Sequence, residues 1–257
     1  MSTGDALNWQ VEEACLNAWP SPRHVLVHGY LLRAAGGPSK RINSCNPMRG
    51  AGDPEAAIPA CEAIYATLGQ RPIFRVPDIA AQMREGLERR GYRAIGETRT
   101  LYRPFDGLQV TEDAEVTVAE TPSTDWLALR DAVSGHDPAT ARAFRTVTGA
   151  IALPCAYASV SVPGGLGAIA FGVRDGGLLV IESVAVPAPL RGRGLARRAV
   201  TALMGWGAAT GARGVCLQVE AGNSPAIALY ARLGFARELY RYHYRVRDEA
   251  SPAPGAY

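Results

Sequence analysis

The sequence predicts an α/β protein built on a mixed, twisted sheet, and three observations carry that expectation. Short runs rich in β-branched and aromatic residues take turns with stretches whose apolar positions recur at spacings of three and four. Gly- and Pro-containing turns punctuate the changeovers. One stretch, Ile181 to Arg198, reads continuously as a buried strand, a Pro-stopped exit, a two-glycine loop and the opening of a helix.

In chain order, Asp5 to Trp19 fits an amphipathic helix ended by Pro20 and Pro22. His24 to Ala34 reads as one strand, Gly36-Gly37-Pro38-Ser39 as a hairpin turn, and Lys40 to Cys45 as the returning strand. Pro54 suits the first turn of a helix running to about Leu68, with Gly69 after it. Arg71 to Val76 is a short strand, Asp78 to Arg90 a helix begun by an Asp cap, and Tyr92 to Tyr102 a closing strand. After Pro104-Phe105-Asp106-Gly107 come a strand (Glu115 to Ala119), two short helices (Asp125 to Val133, Ala139 to Thr148) and a hairpin (Ala156 to Val162, Leu166 to Arg174) around Pro163-Gly164-Gly165. Leu178 to Val186 is apolar or β-branched except at Glu182 and Ser183, which suits a strand covered on both faces. Leu195, Ala199, Leu203 and Trp206 lie on one helix face; Val215 to Val219 is the next strand, and Glu249 to Tyr257 a Pro- and Ala-rich tail.

A strand that feeds a glycine loop and a helix N-terminus makes an anion site, because the first helical amides lack partners and the helix dipole favours negative charge. Gly192 and Gly194 allow close approach, and Arg191, Arg193, Arg197 and Arg198 add positive charge on the same turn. Two glycines before an amphipathic helix can equally be a surface loop with solvated arginines. Arg191-Gly192-Arg193-Gly194-Leu195-Ala196, however, resembles the acyl-CoA pyrophosphate loop of the GNAT superfamily of N-acetyltransferases. Asn223-x-x-Ala226-x-x-x-Tyr230-x-x-x-Gly234-Phe235 is similar to that family's other CoA-side segment, and the two arrive in the family's order.

The resemblance implies the GNAT fold, with acyl-CoA entering a splay between the strand ending at Val186 and the strand ending at Val219. The halves also echo each other: Leu87-Glu88-Arg89-Arg90-Gly91-Tyr92 parallels Ala231-Arg232-Leu233-Gly234-Phe235. Arg49-Gly50-Ala51-Gly52 is similar to the later loop, but Asp53 and Pro54 follow, and an acid there opposes a diphosphate. The expected organisation is a degenerate GNAT-like N-terminal domain (1–105), a linker (106–114), a GNAT acetyltransferase domain (115–247) and a flexible tail (248–257).

Composition bounds the function. A chain of 257 residues with 47% hydrophobic and 20% charged residues can bury a substantial core. A net charge of +3 is too small to argue by itself for nucleic acid, which is not expected as a partner, and no apolar run reaches the length of a bilayer span. Met1 to Gln10 has neither the basic start nor the apolar core of a signal peptide, and the five scattered cysteines follow no metal-ligand spacing. The expectation is a reduced, cytoplasmic protein with no metal, a homodimer being its candidate assembly.

The resemblance further implies acetyl-CoA as cosubstrate and a primary amine of a small molecule or peptide as acceptor. Attack on the thioester is direct, with no covalent enzyme intermediate. Backbone amides of Val184, Ala185 and Val186 would hold the thioester and pantetheine, and Arg191 to Ala196 the diphosphate. Tyr230 would protonate the departing thiolate; a phenol suits this because its reference pKa lies above that of a thiol. Packing is the plain alternative for Tyr230. Asn223 caps its helix and, with Ala226, would meet the pantetheine arm. Glu182, two residues before Val184 and so on the same strand face, would take the amine's proton unless it is paired with an arginine. His136, in the loop between the two short helices, is a second base candidate, and Arg41, Asn43 and Ser44 end a strand without a readable role. The competing readings are a donor other than acetyl-CoA, a non-catalytic acyl-CoA sensor, and a binding protein for other polyanions.

Overall fold

The structure, a computed structural model, describes residues 3–135 and 137–248; His136 and the stretch from Glu249 lie outside the described residues. Its elements are α1 (Thr3–Ala18), β1 (His24–Val27), β2 (Tyr30–Arg33), β3 (Cys45–Pro47), α2 (Pro54–Thr67), β4 (Ile73–Pro77), α3 (Arg84–Arg89), β5 (Arg93–Pro104), β6 (Val116–Ala119), α4 (Thr124–Val133), α5 (Pro138–Gly149), β7 (Cys155–Val162), β8 (Gly165–Asp175), β9 (Leu178–Ala185), α6 (Leu195–Ala209), β10 (Gly214–Glu220), α7 (Ser224–Arg232) and β11 (Arg237–Val246). Among the described residues no helix is long and apolar enough to cross a membrane.

Two compact units form. The larger holds the described residues up to Pro22 and Arg99–Tyr240; the smaller holds Arg23–Thr98 and the described residues from Arg241. A boundary near residue 105 therefore does not describe the packing. The first helix joins the later half because its apolar face has partners there: Trp19 stacks on Phe171 at 6.1 Å, and Asn17 donates to Asp175 at 2.8 Å. Conversely, Tyr242 to Val246 pair with Pro77 to Ile73 and complete the sheet of the smaller unit. Residues 106–114, expected as a linker, lie along α6 inside the larger unit. A Cβ on Gly205 would come within 2.9 Å of Val110, so Val110 sits in a notch that only glycine leaves open.

The larger unit has strand order β11-β5-β10-β9-β8-β7-β6. Strands β6 to β9 are antiparallel neighbours, and β9 and β10 are parallel across the α6 connection. One face offers Ala156, Ala158, Ala168 and Ala170, small enough for α6 to bury Ala199, Val200 and Leu203 against them. The other face carries Tyr157 and Phe171, which close with Trp126 and Phe144 into one aromatic layer. Trp126 keeps its indole N–H satisfied by donating to the Ala158 carbonyl at 3.0 Å. Ser123 and Asp137 cap α4 and α5 through their side-chain oxygens, as their composition leads one to expect.

The smaller unit has order β1-β2-β3-β4-β11-β5, again with one parallel pair, β3 with β4, joined by a helix. Three local expectations change here. The single strand predicted over His24 to Ala34 is a hairpin, because His28 (φ 47°) and Gly29 (φ 80°) both turn left-handed. Lys40–Ile42 form a 3-10 turn rather than strand, and the returning strand begins only at Cys45. The helix predicted over Asp78 to Arg90 is broken at Ala80 (φ −149°), so only Arg84–Arg89 is α-helical. Asp78 is not its cap; the carboxylate accepts from Arg84 at 3.1 Å and from the Arg241 amide at 3.3 Å.

Candidate active site

The exits of β9 and β10 set the geometry. Their parallel register pairs Gly214 with Leu178, Val215 with Leu179 and Cys216 with Val180, and goes no further. Both strands continue, to Ala185 and Glu220, so a gap opens between them. Leu217, Val219, Tyr230 and Phe235 belong to the apolar cluster beside it, with Val184 and Val186 packed against that cluster.

On its other edge β9 bulges. Phe171 faces Glu182 and Ile169 faces Ala185, so Ser183 and Val184 together oppose the single residue Ala170. Ser183 absorbs the extra residue at φ 50°, a left-handed conformation that costs a non-glycine residue energy. The sequence reading that places Glu182 and Val184 on one face by simple alternation is corrected here, since the bulge interrupts the alternation between them. Val184, Ala185 and Val186 are half-buried.

The chain then turns through Pro187 and a 3-10 step, Ala188–Leu190, into the glycine loop. Arg191 folds its Nε back onto the Val186 carbonyl at 3.3 Å, tying the loop to the residue just past the strand. Gly192 (φ 78°) and Gly194 (φ 76°) are left-handed, and a Cβ on either would meet nothing within 4 Å. The amides from Gly192 through Arg197 have no hydrogen-bond partner among the described residues, and α6 begins at Leu195 without a side-chain cap. These outward donors, at the positive end of a 15-residue helix, form a ready anion cradle. Arg193 and Arg197 are exposed beside it. Arg198 is not part of that charge: its guanidinium grips Asp113 at 2.6 Å through two nitrogens and Glu115 at 2.7 Å. The same contact holds the Asp113 carboxyl below its ordinary range.

Across the gap, Asn223 caps α7, its side-chain oxygen accepting from the Ala226 amide at 3.2 Å. Tyr230 sits one face along, 7% exposed, with Phe235 edge-on at 5.6 Å. Its hydroxyl has no hydrogen-bond partner among the described residues. Burial, and then the charge of Glu182, push that phenol above its ordinary value. The charge of Glu182 therefore reaches the Tyr230 hydroxyl, although the sequence separates the two residues by 48 positions. Glu182 itself is 7% exposed. Asn43 lies elsewhere, in the smaller unit, where its side chain bridges the Gly36 and Ser39 carbonyls and serves the local turn. No group of three or more His, Cys, Asp or Glu residues that could hold a metal occurs among the described residues.

Two features of the site had no signal in the sequence. Ser183 gives no hint of a left-handed bulge, since no glycine marks it. Asp113, in the expected linker, and Glu115, at the start of the expected strand, carry no mark of an ion pair until the fold brings Arg198 to them.

A family profile described as "Probable histone acetyltransferase Rv0428c C-terminal" matches residues 9–246. Among curated proteins the chain is similar to the "Uncharacterized N-acetyltransferase YobR" of Bacillus subtilis (strain 168), 23% identical over 252 residues, covering 93% of this chain and 98% of that one. Among solved structures it is similar to a GCN5-related N-acetyltransferase from Kribbella flavida (TM-score 0.68, 16% identity, 97% of each chain). It is also similar to a tandem GNAT protein from the clavulanic acid biosynthesis pathway (TM-score 0.62, 14% identity, 98% of this chain and 89% of that one).

Proposed function

From the premise that this chain belongs to the GNAT superfamily of N-acetyltransferases, we propose that it moves an acetyl group from acetyl-CoA to a primary amine of a small molecule or peptide. The observation that supports this most directly is the set of open amides from Gly192 to Arg197, placed beside the gap between β9 and β10. An anion of two linked phosphates fits that cradle, because the glycines leave room for it and Arg193 flanks it.

In this reading Arg191 to Ala196 hold the diphosphate, while Asn223 and Ala226 border the pantetheine arm. Amides of Val184 to Val186, turned by the Ser183 bulge, bond the thioester carbonyl and steady the charge that develops on its oxygen. Glu182 takes a proton from the attacking ammonium, directly or through water. Tyr230 gives its proton to the departing thiolate, and its raised affinity for that proton keeps it in the acid form throughout the neutral range. A base and an acid held in different surroundings on facing elements suit direct transfer without a covalent enzyme intermediate. The matching family's description as a probable histone acetyltransferase favours a protein or peptide amine among the acceptors.

Calorimetry with acetyl-CoA, followed by an amine panel read by release of free CoA thiol, tests the reading. Saturable heat and turnover on at least one amine are expected. Heat without turnover on any amine would make the chain an acyl-CoA sensor, and absence of heat would remove the assignment of the Gly192 loop.

A further inference from the structure

A groove of about 1240 Å³ runs along the outer side of α6, and none of its lining residues comes from β9 or β10. It is separate from the gap described above. Its walls hold four arginines (Arg103, Arg197, Arg198 and Arg232) against two acids (Glu112 and Asp113). Arg198 and Asp113 satisfy each other, and Arg103 donates to the Leu233 carbonyl at 2.6 Å. Arg197 and Arg232 are exposed and form no ion pair among the described residues, leaving the groove with cationic ends.

Those ends are set apart by the fold. Arg197 stands in the first turn of α6. The last turn of α6 leads to Arg213, whose carbonyl accepts from the Phe105 amide at 2.9 Å, and Arg103 lies against Gly234. Arg103 and Arg232 therefore gather toward the C-terminal end of the helix. Between the ends lie Val110, 41% exposed, and the half-buried Trp206. The groove is open along one side, since Val110, Arg197 and Arg232 are all exposed, and it lacks the enclosure of a small-molecule site.

We propose that this groove docks an acidic segment of another protein, an extended stretch with two carboxylates on either side of an apolar side chain. The carboxylates meet Arg197 at one end and Arg232 at the other, and the apolar side chain covers Val110 and Trp206. Charge and the apolar patch between the arginines select such a segment; Glu112, an exposed acid on the rim, selects against a uniformly acidic one.

The test titrates the full chain, up to millimolar concentration, with the capped pentapeptide Glu-Gly-Leu-Gly-Glu and with its Lys-Gly-Leu-Gly-Lys counterpart. The first is expected to bind saturably and the second not at all. Arg232→Glu and Val110→Asp, both at exposed positions, should each weaken binding at least tenfold, and saturating acetyl-CoA should leave it unchanged. Absence of saturation, equal binding of the two peptides, or indifference to both substitutions would overturn the proposal. Displacement by acetyl-CoA would overturn it too, because the guanidinium groups would then be serving the nucleotide. A chain that fails to bind acetyl-CoA yet binds the acidic peptide would keep this inference and sink the transferase reading of the loop.

Discussion

The chain builds the same strand–loop–helix–strand unit twice, and the two copies end in opposite chemical states. In the larger unit β9, α6 and β10 surround a loop whose amides face outward, with free space over both glycines. In the smaller unit β3, α2 and β4 repeat the topology, but the loop uses its donors on itself. The Ala51 amide bonds the Met48 carbonyl, the Gly52 amide bonds the His28 carbonyl, and the Glu55 amide bonds the Asp53 carboxylate at 2.9 Å. Pro54 has no amide to offer. The hairpin turn at His28-Gly29 also fills the space, since a Cβ on Gly52 would come within 2.9 Å of the His28 carbonyl. An internal carboxylate at the helix cap thus stands where the other copy leaves room for an external anion.

The helices that follow can be aligned by their hydrogen bonds alone. In one copy the Phe235 amide bonds the Tyr230 carbonyl and the Gly234 amide bonds Ala231; in the other Tyr92 bonds Leu87 and Gly91 bonds Glu88. Tyr230 therefore corresponds to Leu87, which is fully buried and has no proton to give. Counting back along both helices sets Asn223 against Ala80, the residue at which the smaller unit's helix breaks. The smaller unit keeps the fold while Leu87 and Ala80 stand where the larger unit has Tyr230 and Asn223. Folding asks for burial and backbone satisfaction, and those demands are indifferent to whether a helix cap is filled by an Asp or by a ligand.

The comparison breaks most sharply if the smaller unit's solution is copied into the larger one. Gly194→Asp puts a carboxylate at the cap of α6, a position where Asp is tolerated in a left-handed conformation better than most residues. Losing the charge-assisted bonds to a diphosphate should weaken acetyl-CoA by about a hundredfold. Calorimetry showing unchanged affinity would mean that the open amides do not hold the cosubstrate.

Tyr230→Phe comes next. Turnover should fall about a hundredfold or more while acetyl-CoA affinity holds. The sign of the pH dependence follows from the raised phenol: a group whose proton is held more tightly stays acidic to higher pH. The rate in the wild type should therefore rise as the acceptor amine deprotonates, with no descending limb below about pH 10. A limb centred near pH 9 would exclude Tyr230 as the proton donor.

How much of this was legible beforehand divides along physical lines. The alternation of elements, the cap at Asn223, and the glycine loop were readable because each depends on residues close in sequence. The acid at Asp53 was also readable as an obstacle to a diphosphate, though not as the loop's own cap. What escaped depends on partners far along the chain. The clamp of Arg198 by Asp113 and Glu115 spans more than 80 positions. The assignment of α1 to the larger unit rests on Trp19 meeting Phe171, and periodicity gives a helix a buried face without naming what covers it. The His28-Gly29 hairpin is hard to read because His-Gly is a weaker turn signal than Asn-Gly or Asp-Gly and sits inside a run of apolar residues.

A smaller effect is expected at Ser183. Valine there would have to hold φ near 50° with a branched Cβ, at a cost of about 1–3 kcal/mol. Ser183→Val should lower the melting temperature and, by straightening the bulge, raise KM for acetyl-CoA. Ser183→Gly relieves the strain and should melt slightly higher with its KM retained. If both variants match the wild type in thermal melts and kinetics, the bulge is not what aims the amides of Val184 to Val186.

The least change belongs to the smaller unit's own cap. Asp53→Ala frees the Glu55 amide and removes an N-cap, which should lower the melting temperature by roughly 2–4 °C. It should not create a second acetyl-CoA site, because Pro54 still lacks a donor and His28 still crowds Gly52. Calorimetric stoichiometry decides the matter. One equivalent of acetyl-CoA per chain in this variant would place the closure of the smaller loop in the whole turn. Two equivalents would place it in the Asp53 carboxylate alone, and the two copies would then differ by one side chain rather than by the path of the backbone around it.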